Sequence, residues 1–253
     1  MRQLAPILSL AVALSVGCTN TGAGNDPLIP DELVLRAVRV ASLSTLLGSE
    51  LGLVVADPPQ GGNSCPTVVR DGDQFLLDYG AGCVPDSGLT TELIAGTADL
   101  KVASGSGAFL GSITSFGVAP ASLTASVSGS QSRAGDLFTV DLDLSDGLWV
   151  REGVESTWNA FLEITGDQDT VSLFVDSGSL LGATAPAMRI DVGDIAVPRA
   201  DLAGCFVPAD GTLALFKDRG QANLTFSADS HASGNITANF NDHDPATVGP
   251  CGG

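Results

Sequence analysis

Residues 137–145 read Leu-Phe-Thr-Val-Asp-Leu-Asp-Leu-Ser, and the fold class follows from this stretch. Phe138, Val140, Leu142 and Leu144 hold one parity, and Thr139, Asp141, Asp143 and Ser145 hold the other. Successive side chains of a strand point to opposite faces, so this alternation predicts a strand with one apolar and one wetted face. The period recurs downstream in Val171, Leu173 and Val175, in Leu213 and Leu215, in Ala222, Leu224 and Phe226, and in Ile236, Ala238 and Phe240. Short turns separate the runs, such as Gly166-Asp167-Gln168-Asp169 and Lys217-Asp218-Arg219-Gly220. Upstream, Pro66–Arg70 and Asp73–Tyr79 flank Asp71-Gly72, a hairpin signal. Short turns join antiparallel neighbours. The expected fold is mainly β: an antiparallel meander forming a sandwich or a curved half-barrel.

One helix is expected ahead of the strands, over residues 31–48. Asp31 follows Pro30 and can cap the free amides, and Gly48 supplies a stop. Leu33, Val34, Ala37, Val38 and Ala41 form a stripe at helical spacing, while Glu32 and Arg36 pair one turn apart on another side. Such a stripe docks on a domain core, here the apolar side of the sheet.

The N-terminus carries an address. Arg2 precedes an apolar run from Leu4 to Val16, followed by Gly17, the pattern of a secretory signal peptide over residues 1–17. Leu14-Ser15-Val16-Gly17-Cys18 resembles the lipobox of bacterial lipoproteins, with Ser15 where that family usually has Leu. The resemblance implies cleavage before Cys18 and lipid on its thiol, so the expected partner is a membrane, reached through that lipid. Residues 19–27 are small, polar and broken by Gly and Pro, the composition of a flexible tether, which is expected over residues 18–30. Thr19 behind the cysteine is similar to the sorting pattern of outer-membrane lipoproteins. The expectation is an exported chain, lipid-anchored at the outer membrane on its periplasmic or cell-surface face, with residues 31–253 as one β-rich exterior domain.

Charge and cysteine usage agree with export. The chain has 11 cations against 29 acids, a formal charge of −18, which becomes −19 once Arg2 leaves with residues 1–17. Such a surface repels phosphate backbones, so nucleic acid is excluded as a partner. Of the 5 cysteines, Cys65, Cys83, Cys205 and Cys251 remain beyond Cys18, an even set in an oxidising compartment. Three pairings are open. Cys65 and Cys83 flank a local hairpin and Cys205 and Cys251 bracket the last strands, which favours Cys65–Cys83 with Cys205–Cys251. Neither pair has the Cys-x-x-Cys spacing of zinc or redox sites.

Cys65-Pro66-Thr67-Val68, Asp71-Gly72-Asp73, Asp78-Tyr79-Gly80 and Gly82-Cys83, with Cys205-Phe206-Val207-Pro208-Ala209-Asp210-Gly211-Thr212 before a last hairpin, together resemble motifs of uncharacterised exported lipoproteins of Gram-negative bacteria. The resemblance implies the same address and β architecture, and no activity comes with it.

Catalytic motifs are missing from the sequence. His231 and His243 stand in polar, turn-like stretches, and no Gly-x-Ser-x-Gly, Ser-x-x-Lys, His-Glu-x-x-His or phosphate-binding loop occurs. Gly105-Ser106-Gly107 reads as a turn. Asp141, Asp143 and Asp146, with Glu152 farther on, place oxygen ligands as an EF-hand calcium loop does. Asp146 stands where that loop needs Gly, however, and the flanks alternate like strands. A polar strand face entering an Asp-Gly turn is the favoured reading, and no cofactor is expected. Asp242-His243-Asp244 reads as a solvated loop. The leading functional expectation is a membrane-anchored lipoprotein with a passive structural or binding role and no catalysis. The alternatives are a carrier of a lipid or other apolar ligand in a curved sheet, a calcium-dependent adhesive module, and an enzyme.

Overall fold

The computed structural model describes residues 28–56, 64–182, 188–203 and 205–251. The signal peptide, Cys18 and most of the expected tether lie outside the described residues. From Leu28 the chain is pinned. The Leu28 amide donates to the Asp242 carboxylate at 2.9 Å, and Ile29 is fully buried. A tether therefore ends before Leu28, not at residue 30.

The strands run in chain order as β1 (Thr67–Asp71), β2 (Gln74–Cys83), β3 (Ile94–Val102), β4 (Ala108–Val118), β5 (Ala121–Ala134), β6 (Leu137–Arg151) and β7 (Val154–Gly166). They continue as β8 (Thr170–Gly182), β9 (Met188–Pro198), β10 (Asp210–Lys217), β11 (Gly220–Phe226), β12 (Ile236–Phe240) and β13 (Ala246–Val248). All thirteen form one antiparallel sheet in that order, with β1 and β13 at its ends. The meander is as expected, and the sandwich alternative falls away because there is one sheet. The alternating residues behave as read: Phe138, Val140, Leu142 and Leu144 are buried, as are Val171, Leu173 and Val175. The Asp71-Gly72 hairpin shifts by one residue. Asp71 pairs with Gln74, leaving Gly72 and Asp73 as the loop, with Gly72 at φ 60°, a backbone that glycine adopts without strain.

Helix α1 spans Asp31–Ala56, eight residues beyond the expected stop. The Pro30 carbonyl accepts from the Leu33 and Val34 amides, so Asp31 is not the cap. It lies inside the first turn with Glu32, where a negative charge complements the helix dipole. Gly48 ends nothing. A Cβ there would overlap Ile164 Cδ1 on β7, and one at Gly52 would lie 2.5 Å from Val140 Cγ2 on β6. The two glycines let the helix backbone press against the sheet. From Val40 to Val55 every residue is buried, so the helix is covered all round instead of docked by one stripe. It touches β4, β5, β6, β7, β8 and β13, and the sheet therefore curls about it. Its length and apolar composition would suit a membrane span, yet nearly all of it is buried within the domain. This is a core helix.

Segment 84–93 follows β2, and a 3₁₀ turn (Arg199–Asp201) leads into segment 202–209. A short second helix, α2 (Ala228–Ser233), starts at Ser227, whose hydroxyl accepts from the Ser230 amide, and stops at left-handed Gly234. Cys65–Cys83 and Cys205–Cys251 are both bonded, the pairing favoured by the sequence. In the chain-entropy account, loops of these sizes stabilise by roughly 3 to 4 kcal/mol each.

Candidate functional site

Three places in the fold hold chemistry, and the first is inside the curl. Glu50 lies on α1 in an otherwise apolar run and is fully buried. The Tyr79 hydroxyl on β2 donates to Glu50 Oε2 at 3.2 Å, and Ser87 in segment 84–93 is hydrogen-bonded to Oε1. Burial pushes the carboxyl up to about 7, against the opposing pull of the Ser87 and Tyr79 hydrogen bonds and the charge of Arg199, while Asp86 pushes the same way as burial. Burial and the Glu50 charge raise Tyr79 in turn. The helix makes other polar ties on other sides. Trp158 Nε1 on β7 donates to Ser44 Oγ at 3.0 Å, and Ser42 Oγ accepts from the Phe206 amide at 3.3 Å. Arg39 Nε reaches the Pro250 carbonyl at 2.6 Å.

The second place is the acidic set singled out as a calcium loop. Asp141, Asp143 and Asp146 lie along β6 and Glu152 lies in the turn after it. Adjacent strand residues rise about 3.3 Å, so Asp146 and Glu152 are separated by roughly 20 Å of extended chain. Asp141 accepts from Ser130 Oγ at 2.9 Å, and Glu152 faces Arg151 at 3.7 Å. The structure does not bring the four together, and among the described residues no three acidic, histidine or cysteine side chains converge on a possible metal position. Nor is Asp146-Gly147 a turn. It belongs to a bulge, where the β6–β7 register slips between Leu144 and Gly147 and Asp146 takes φ 51°. The chain turns at Glu152-Gly153 instead.

The histidines hold loops together. His231 on α2 meets the Val207 carbonyl at 2.5 Å through Nδ1 and Asp201 at 3.1 Å through Nε2. His243 stacks on Phe240 and meets Asp242 at 2.8 Å. Asp242 is thus more than a solvated acid. The Leu28 amide and His243 hold its carboxyl below the usual range. Asp167 is held low in the same way by the amides of Asp169 and Thr170 in the β7–β8 turn.

The third place is the outer face of β6–β9. The β6 bulge sets Ser145 and Asp146 beside Asn159 of β7, and a second slip, on β8 between Val175 and Gly178, exposes both Asp176 and Ser177. Bulges re-aim side chains and open a sheet locally. Between the two lies a groove of about 710 Å³ lined by Asp143, Asn159, Phe161, Asp176, Ser177 and Arg189, among others. Phe161 is 43% exposed there, and Asp143 and Asp176 make no hydrogen bond or ion pair with a described residue. One rung farther, Glu163, Thr165, Ser172 and Phe174 line a second hollow of about 440 Å³.

No protein-family model, no curated protein and no solved structure matches this chain.

Sequence reasoning passed over Glu50, Phe161 and Asp176. Glu50 had a signal: a lone acid inside Leu-Leu-Gly-Ser-Glu-Leu-Gly-Leu is buried if that helix is buried all round. Phe161 faces outward by the unbroken alternation of β7, whose even residues face in, whereas Asp176 faces outward because of the bulge on β8.

Proposed function

We propose that this chain is an exported lipoprotein that holds a solid β domain at the outer membrane through lipid on Cys18, and that the domain binds without chemistry. The observation that carries the reading is the position of α1. A carrier of the kind a curved sheet suggests needs its concave side free for an apolar ligand. Here that side holds a 26-residue helix, packed by Trp158, Phe138, Leu142 and Ile164. Ligand contact then falls to the outer face. Two bonded cysteine pairs suit an oxidising compartment. The pinning of the chain at Leu28 leaves residues 18–27 to span from lipid to domain.

The resemblance of residues 14–18 to a lipobox supports the anchor, and the outer membrane is the destination that Thr19 favours. Solvent extraction of the purified, natively exported protein tests the non-carrier half. The reading expects no acyl chain beyond those covalently attached. One releasable lipid per chain would overturn it in favour of the carrier.

A further inference from the structure

We infer that the outer face of β7 and β8 is a binding site for a neutral oligosaccharide, with one sugar over Phe161 and another over Phe174. This rests on the reading that the domain binds through its outer face, and it names the ligand class.

The register sets out the site. Asp143, Phe161 and Ser177 are directly opposite one another across β6, β7 and β8. On the next rung of the same face come Asp141, Glu163 and Phe174, and beyond them Thr139, Thr165 and Ser172. On the other side, Asn159 stands opposite Ser179 and Ser179 opposite Arg189. Each of the two central rungs thus carries one phenyl ring and at least one carboxylate, with hydroxyls on the same or the next rung. The two phenylalanines stand on adjacent strands at a diagonal, where backbone positions in a regular pair lie about 7 to 8 Å apart, and the bulge on β8 adds one residue between them. Phe161 is 43% and Phe174 42% exposed, on an outer face that also exposes Leu137, Leu148, Val154 and Leu181. Among the described residues the two phenylalanines are the exposed aromatic side chains of that face, and they lie at its middle.

A pyranose has an apolar C–H face and an equatorial ring of hydroxyl donors. The phenyl faces suit the first. The second needs acceptors, and an ionised carboxylate is acceptor-only. Asp143, Asp176 and Glu163 have no competing partner among the described residues, whereas Arg189 is already paired with Asp191 at 3.0 Å and lies over the Phe216 ring. That balance disfavours an anionic sugar. The bulge on β8 turns both Asp176 and Ser177 outward, so the carboxylate and a hydroxyl stand side by side next to Phe161. The twice-repeated arrangement fits a chain of similar units better than one compact ligand.

Saturation-transfer difference NMR on the full mature protein in detergent tests this, with cellohexaose, maltohexaose and chitohexaose as probes and oligolysine as the competing ligand class. At least one sugar should show transfer to its C–H protons. Phe161→Ala and Phe174→Ala should each weaken binding at least tenfold, with melting temperatures near that of the unaltered protein. Asp176→Asn should weaken it without changing the fold. No transfer to any of the three sugars would overturn the site, as would binding untouched by both phenylalanine variants. Binding of oligolysine alone would make it a peptide surface and overturn it too. A sugar that binds through both rings and is recovered cut would keep this site and end the non-catalytic reading instead.

Discussion

The Tyr79 hydroxyl on β2 donates to the Glu50 carboxyl of the central helix at 3.2 Å, with both side chains buried. The bond joins helix to sheet, and Ser87 adds segment 84–93, which follows the Cys65–Cys83 bridge, to the same carboxyl.

This arrangement makes stability depend on pH with a definite sign. Glu50 is raised from 4.5 to about 7 in the folded chain, so the native state holds its proton more tightly than the unfolded one. The resulting stability is fully present below about pH 4.5 and is lost as pH rises through 7. The loss amounts to about 3 kcal/mol by pH 9. Glu50→Gln keeps the shape and an acceptor for Tyr79, and should remove that dependence. Melting temperatures from pH 5 to 9 check it, and an equal decline in both proteins would contradict the assignment.

Helix-to-sheet contact at Gly52 yields a second outcome. Alanine is the better helix former by about 1 kcal/mol in an open helix. Here its methyl would meet Val140 Cγ2 at 2.5 Å and Phe138 Cδ2 at 3.1 Å. Valine is stiff at χ1 and cannot yield easily. Gly52→Ala should therefore destabilise by about 1 to 3 kcal/mol in urea unfolding. Gly48→Ala should cost less, because the flexible end of Ile164 is what it meets. A more stable Gly52→Ala protein would refute the close approach.

Two serines of α1 separate a used hydroxyl from an unused one. Ser44 Oγ takes the Trp158 indole N–H, while buried Ser49 Oγ has no partner among the described residues. Ser44→Ala strands a buried donor and should cost about 1 to 3 kcal/mol, whereas Ser49→Ala removes an unmet group and should be neutral or stabilising. Chemical denaturation of the two variants side by side decides it. Equal losses would sink the distinction.

Calcium should do little to the domain. A ligand held only by the native state raises stability, but Asp141, Asp143, Asp146 and Glu152 are strung along β6 and the turn after it. Millimolar calcium should change stability by less than about 0.5 kcal/mol. A calcium-dependent rise in melting temperature of many degrees, abolished in Asp146→Ala, would restore the adhesive reading.

The sheet was legible because strand period survives in the sequence wherever one face is buried. The bulges were not recognised from sequence: the parity change at Asp146-Gly147 reads as a turn, because an Asp-Gly pair carries the residue types of both. Inward residues are even from Phe138 to Leu144 and odd at Gly147 and Trp149, and they switch from odd to even between Val175 and Gly178. The length of α1 was not legible. Gly48 carries the residue type of a helix stop, and only the packed sheet shows that it serves close approach. For the same reason the curl about the helix, and hence the burial of Glu50, lay beyond local pattern. The outer groove depends on which residues of β6, β7 and β8 face one another, and register across strands is set by the whole meander.

The most direct test of the account is the intact mass of the protein extracted from the membrane of cells that export it. Lipid attachment predicts a chain that begins at Cys18, carries diacylglycerol and an N-acyl group, and retains both disulfides. Two or more acyl chains hold a protein far more firmly than one. A mature chain with an unmodified amino terminus at or beyond Cys18, or one still carrying residues 1–17, would contradict the central claim.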